Sequence, residues 1–203
     1  MLDLFEGDPP WQEALAEDAV ILRRYARHDD HWLFDQIMAI ASQRPFQHRI
    51  TPGGFRMSVA MTHCGLYGRP ADAHPINGGL LMPDNLRKYA ITTALSAGFT
   101  GFRPDSCLMN RYAVDSKLSL HQDKDEKDLR QPIVSVSLGL AAVFQFGGFE
   151  RGDPVTKVML EHGDVVVWGG RSRLRFHGIL PLKPGSHPLT GKYRYNMTFR
   201  CAG

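Results

Sequence analysis

The chain has 203 residues, 43% of them hydrophobic, which is enough for one globular domain with a sizeable core. A formal net charge of +3 is too mild to imply nucleic acid by itself, although 17 of the 24 basic residues are arginine, the side chain suited to bidentate contact with carboxylate or phosphate. Cys64, Cys107 and Cys201 are far apart with no CxxC, which excludes a disulfide framework and a zinc site; the acidic start MLDLFEGDPPW reads as no signal peptide, and no apolar run is long enough to span a membrane, so a cytoplasmic chain is expected.

In chain order, residues 19–25 (AVILRRY) read as a strand. DDHWLFDQIMAIASQ then reads as a helix, with Leu33, Phe34, Ile37, Met38 and Ala41 at helical spacing and Asp29 or Asp30 as its N-cap. TPGGFRMSVAMT reads as a turn and a strand, because Phe55, Met57, Val59 and Met61 alternate. Residues 64–82 are loop-like, and Asp84 to Ala97 reads as a second helix ended by Gly98. From about Asp105 the pattern changes to short strands: CLMNRY, LSLHQD, IVSVSLGL, AVFQF, KVMLE, DVVVW, LRFHGI and YRYNMTF, separated by turn signals such as GG, GDP, EHGD and KPGS. The expected fold is mainly β with flanking helices (α+β), built on a double-stranded jelly-roll core. Residues 1–203 form one domain in this reading. About 1–104 are an N-terminal extension and lid, and about 105–203 are the catalytic core.

The chain contains three His-x-Asp pairs, so the pair alone is a weak signal. His28/Asp30 falls at a helix start and reads as capping. His162/Asp164 is split by Gly163 in the turn EHGD. Only His121/Asp123 ends a strand and opens a loop, where residues i and i+2 share a face. His177, in LRFHGI, reads alone as a core histidine. With His121 and Asp123 it completes a two-histidine, one-carboxylate face, the arrangement typical of non-haem Fe(II) oxygenases.

In RYNMTFR the polar residues Arg194, Asn196, Thr198 and Arg200 alternate with Tyr195, Met197 and Phe199. Two arginines inside a barrel need anionic partners. A bound dicarboxylate would supply them, at about 1.5–3 kcal/mol for each charge-assisted bond.

Together HQDKDE, the later FHG and RYNMTFR resemble the AlkB family of Fe(II)- and 2-oxoglutarate-dependent nucleic-acid dealkylases. MSVAMT, CLMNRY, PIVSVSLGL, FQFGG and LEHGDVVVWGG extend the resemblance over most of the chain. It implies His121, Asp123 and His177 as iron ligands, with Asn110, Tyr112, Arg194, Asn196 and Arg200 at 2-oxoglutarate. Met61, Asp125 and Arg151 match residues at the damaged base and its strand, and Trp168 an aromatic near the metal. It further implies consumption of O₂, release of succinate, CO₂ and formaldehyde, and oxidative demethylation of 1-methyladenine and 3-methylcytosine. The implied substrate is alkylated single-stranded DNA, with double-stranded DNA and RNA left open, and the implied state is a monomer with no membrane partner. Alternatives are an oxygenase of the same type acting on RNA, protein or a small molecule, and a non-catalytic nucleic-acid-binding module.

Asp125 could pair with the positive charge that methylation places on the base; Glu126 is a weaker candidate for the same role. The loop HCGLYGRPADAHPINGGLLMP departs from the family pattern. It is shorter, and Arg69 stands where the family has tryptophan, so Arg69, His74 or Tyr67 is expected to supply the stacking surface. Arg171, Arg173 and Arg175 are candidates for phosphate contacts.

Overall fold

Alternation along two central strands divides the interior. In β7 (Ile133–Gly139), Val134, Val136 and Leu138 pack towards the helices, whereas Ile133 and the serines Ser135 and Ser137 face the other way. In β12 (Arg194–Arg200), Tyr195, Met197 and Phe199 take the helix side and Arg194, Asn196 and Thr198 the opposite side. The computed structural model describes residues 10–51, 53–66 and 80–203.

These strands lie in an eight-stranded antiparallel sheet. Its order is β1 (Trp11–Ala16), β2 (Ala19–Arg23), β10 (Val165–Trp168), β7, β12, β5 (Ser106–Tyr112), β4 (Arg56–Gly65) and β3 (Gln47–Ile50). A second, four-stranded sheet runs β6 (Leu118–His121), β11 (His177–Ile179), β8 (Ala142–Phe146) and β9 (Thr156–Leu160). The fold is the expected β-rich jelly roll with flanking helices.

One core fills the space between the large sheet and the helices α1 (Asp30–Gln43) and α2 (Asp84–Ser96). Leu33, Ile37 and Ile40 from α1 and Leu86, Ala90 and Ala94 from α2 meet Met109, Val134, Val136, Met197 and Phe199 there. A second core lies between the sheets, around Ile21, Ile133, Phe144, Phe146, Val166 and Trp168. The large sheet is therefore covered on both faces at its centre, which explains why β7 is buried along its whole length.

Three strands depart from the sequence reading. β1 and β3 were not expected, and they are the two edges of the large sheet; QHRI in β3 is exposed at every position, so no burial pattern marks it. The LRFHGI strand is shorter than read. Residues Gly170–Ser172 form a 3-10 turn, and the strand begins only at His177. At α1 the N-cap Asp29 makes no side-chain cap bond; Asp30 lies in the first turn, where its Oδ1 accepts from the His31 amide and its charge favours the helix dipole.

Gly65 ends β4. Its φ of +80° suits glycine, and an added Cβ would lie 2.0 Å from the Asp105 carbonyl oxygen. Its amide donates to the Leu80 carbonyl at 2.7 Å.

Candidate active site

β6 and β11 pair antiparallel, with His121 directly opposite His177. Their rings lie 4.4 Å apart. Asp123 follows two residues after His121; one carboxylate oxygen is 3.7 Å from His121 Nε2 and the other 3.8 Å from His177 Nε2. One donor atom from each residue lies within 4.8 Å of the others. The Nδ1 atoms are held at backbone carbonyls, His121 at Ser119 (2.9 Å) and His177 at Arg175 (3.1 Å). Such bonds fix Nδ1 as the protonated nitrogen and leave the Nε2 lone pairs facing Asp123.

The charge states suit a metal as well. Burial pushes His177 down to about 4, outweighing the opposing pull of Asp123, so its imidazole is neutral at pH 7. Burial alone would raise Asp123, but Arg200, His177, His121 and Arg173 together hold it well below the usual carboxylate range. A neutral imidazole at His177 and a carboxylate at Asp123 are the states in which such groups ligate a divalent cation. Mn(II) at a hundred times its Kd should stabilise the protein by about 2.7 kcal/mol, read as a rise in Tm. His177→Ala should abolish that rise, and an unchanged rise in the variant would count against these ligands.

The cavity beside the triad is lined by the inner faces of β5, β7 and β12, including Asn110, Tyr112, Ser135, Arg194 and Asn196. Arg194 is 1% exposed. One amino group donates to Ser137 Oγ at 2.8 Å, while Nε and Nη1 have no hydrogen-bond partner, and no carboxylate among the described residues forms an ion pair with it. Tyr112 lies beneath the guanidinium, 5.3 Å from ring centroid to Cζ, and burial pushes its hydroxyl up to about 12. Asn110 Nδ2 donates to Asn196 Oδ1 at 3.1 Å; its own Oδ1 is unsatisfied. Asn196 is fixed in turn by Ser135 Oγ at 2.8 Å and the Val136 carbonyl at 3.0 Å. A buried cation with spare donors next to a metal-type triad fits a dicarboxylate bound end-on. Trp168 closes the cavity, with its ring 4.9 Å from that of His177.

Arg200 differs from Arg194. Its Nη1 is 3.3 Å from Asp123 and 2.8 Å from Glu126, so its charge is met inside the chain. Glu126 is buried, and its second oxygen lies 3.1 Å from Arg173. Arg173 also donates to the carbonyls of Asp123 (2.5 Å) and Gln131 (2.9 Å). Two expectations change as a result. Glu126 belongs to a buried charge network behind the ligand Asp123, where it cannot meet a base at the pocket mouth. Arg173 is 3% exposed and committed to that network, so it is out of reach of phosphate. Arg171 is exposed and paired with Glu17 at 2.7 Å, and Arg175 donates to Ser172 and Gly147.

Asp125 is exposed two residues beyond Asp123. Arg151 is exposed and donates to the Leu120 carbonyl at 2.9 Å, next to His121. Met61 is buried between the sheets, opposite Asn110 in the register of β4 and β5. Arg69, Tyr67 and His74 lie outside the described residues. The two other His-x-Asp pairs are structural and joined to each other: His162 Nδ1 accepts from the Gly139 amide at 3.0 Å, which leaves Nε2–H to donate to Asp30 at 2.8 Å. Asp164 is buried on Arg23 (2.7 Å) and on the Arg24 and Glu161 amides (2.9 Å each).

The family model of the 2OG-Fe(II) oxygenase superfamily matches residues 18–200. The chain is 55% identical to the alpha-ketoglutarate-dependent dioxygenase AlkB of Salmonella typhimurium, over all of this chain and 98% of that one. It is 55% identical to the Escherichia coli protein of the same name, over all of this chain and 99% of that one. The solved structure of OsALKBH1 superposes with a TM-score of 0.80 at 30% identity, covering 94% of this chain and 99% of that one. With a triad and an anion-seeking cavity in place, the chain belongs to the AlkB family of Fe(II)- and 2-oxoglutarate-dependent dioxygenases, enzymes that consume O₂ as co-substrate.

Proposed function

We propose that the enzyme repairs alkylated single-stranded DNA by demethylating 1-methyladenine and 3-methylcytosine. The observation that carries this reading is the continuity of the triad with the Arg194 cavity, next to a loop that places the acidic Asp125 two residues after a ligand. The likeness to the bacterial AlkB proteins supports it, as does a more distant mouse relative, 35% identical over 52% of this chain, whose name is nucleic acid dioxygenase ALKBH1.

In this reading His121, Asp123 and His177 hold Fe(II) through Nε2, carboxylate and Nε2. Arg194 takes the distal carboxylate of 2-oxoglutarate, Asn110 and Tyr112 supply further hydrogen bonds to it, and Asn196 and Arg200 complete that side of the cavity. Bound Fe(II) and 2-oxoglutarate supply, with O₂, the oxidising power that converts an N-linked methyl to hydroxymethyl, with succinate and CO₂ as the by-products. The hydroxymethyl amine then breaks its C–N bond, and formaldehyde and the unmodified base leave. Asp125 pairs with the cationic methylated base; demethylation removes that charge and with it the attraction, which favours product release. Met61 and Arg69 belong to the base-binding side and Arg151 to the strand. Extracting a base from a duplex costs a few kcal/mol, and single-stranded DNA avoids much of this. Residues of about 1–104 supply the lid side and about 105–203 the chemistry, in a cytoplasmic monomer.

The test is release of formaldehyde and succinate from a 3-methylcytosine single-stranded oligonucleotide with Fe(II), 2-oxoglutarate and ascorbate. Stoichiometric release with restored cytosine, lost in His121→Ala, is expected. Succinate without demethylation would mean an oxygenase for another substrate.

A further inference from the structure

Phe149 lies in the turn between β8 and β9 and is 51% exposed. Single exposed apolar side chains are ordinary, but this ring sits on a tightly built turn. Asp153 accepts from the amides of Phe149 (2.8 Å) and Glu150 (2.9 Å) through one carboxylate oxygen, and the Asp153 amide donates back to the Glu150 carbonyl at 3.1 Å. A Cβ on Gly148 would lie 2.1 Å from that same oxygen, so the turn closes without room to spare.

Arg175 supports the ring, with its guanidinium carbon 4.9 Å from the centroid. Arg175 is itself fixed, through Nη1 to the Gly147 carbonyl at 2.9 Å and through Nε to Ser172 Oγ at 3.1 Å. Two residues further on, Arg151 lies over the Phe176 ring at 5.2 Å and bonds the carbonyl of Leu120. Gln122, between the ligands His121 and Asp123, donates to the carbonyls of Leu174 (2.5 Å) and Phe149 (3.5 Å). The turn is thus joined by two side-chain bonds to the segment that carries the metal ligands.

An aromatic ring held rigidly, backed by one guanidinium and flanked by a second, has the chemistry of a base-stacking platform with a phosphate contact beside it. We infer that Phe149 stacks on an undamaged base next to the lesion, on the same single strand of DNA, with Arg151 at the adjoining phosphate. This rests on the nucleic-acid reading above. It adds a second point of attachment, distinct from the pocket that takes the methylated base.

The experiment is a cycle of affinities, measured by fluorescence anisotropy on five-nucleotide single-stranded DNA with a central 3-methylcytosine. In matched strands an abasic unit replaces the base on one flank or the other. For the wild-type enzyme one of the two abasic strands should bind about tenfold more weakly, in line with the loss of one stacked base. Phe149→Ala should bind the intact strand about tenfold more weakly and then be indifferent to the abasic unit; Phe149→Trp should restore both the affinity and the sensitivity. A Phe149→Ala enzyme that binds like wild type, or that remains equally sensitive to the abasic unit, would overturn the platform. If the wild type binds and demethylates these strands while the cycle shows no coupling, the platform alone falls. If the wild type binds none of them, the nucleic-acid reading falls and the platform with it.

Discussion

Replacing Arg194 with methionine should abolish turnover of 2-oxoglutarate at ordinary concentrations while leaving the cofactor-free protein no less stable. Both halves follow from its burial. The guanidinium is 1% exposed, burial pulls its pKa down, and its hydrogen bond is to the Ser137 hydroxyl. A cation in such a place costs free energy until an anion arrives, and an apolar side chain of similar length removes that cost. In the bound state two charge-assisted bonds to a carboxylate are lost, at about 1.5 kcal/mol or more each. The apparent KM for 2-oxoglutarate should therefore rise by about a hundredfold or more. Arg194→Lys should recover part of this, because a point charge replaces the forked pair of donors. The checks are steady-state kinetics against 2-oxoglutarate and thermal unfolding with and without it. With Mn(II) already present, adding 2-oxoglutarate should raise the wild-type Tm further, and it should leave that of Arg194→Met where Mn(II) alone puts it. An unchanged KM would show that the distal carboxylate binds elsewhere.

The polar face of this cavity is written into β12 by its period of two: Arg194, Asn196 and Thr198 line it and alternate with Tyr195, Met197 and Phe199, and the structure buries both sets on opposite sides of one sheet. Ser135 and Ser137 carry the same signal more faintly, as small polar breaks in the apolar run IVSVSLGL. The strands β5 to β12 were legible because each has an apolar side to bury. β3 was not, because an edge strand exposed at every position has no such side, and β1 was not, because it packs only Leu15 and Ala16, partly buried, against the core. The ligand set was legible from one turn of logic. Gly163, with φ of +86°, breaks the strand geometry of His162/Asp164, whereas His121 and Asp123 sit where a strand ends. Arg173 and Glu126 were misread because a charge-rich segment ordinarily faces water. Only the fold reveals that the turn 170–172 and the loop after Asp123 meet over a buried carboxylate. No local spacing encodes a contact between residues 126, 173 and 200.

That carboxylate sets the largest expected loss of stability. Glu126 balances Arg173 and Arg200, with side-chain exposures of 3%, 3% and 14% in that order. Removing one partner of a buried ion pair costs about 3–5 kcal/mol, because the other charges remain without it. At roughly 3 °C per kcal/mol for a chain of this size, Glu126→Ala should lower Tm by about 10 °C. Glu126→Gln keeps the shape and one acceptor and should lose less. The chemistry should suffer separately from the fold. With Glu126 gone, Arg200 keeps its pairing with Asp123 at 3.3 Å. It then competes more strongly with a metal for that ligand's oxygen, and Arg173, which donates to the Asp123 carbonyl, loses the ion-pair partner that holds it in place. The variant should therefore bind Mn(II) about tenfold more weakly at a temperature where it is fully folded, measured by titration against the wild type. Arg173→Met combined with Glu126→Leu removes one charge of each sign and should regain much of the lost Tm, because the remaining Arg200 still has Asp123. A Glu126→Ala protein with wild-type Tm and wild-type Mn(II) affinity would show that this network neither holds the fold nor positions the ligand.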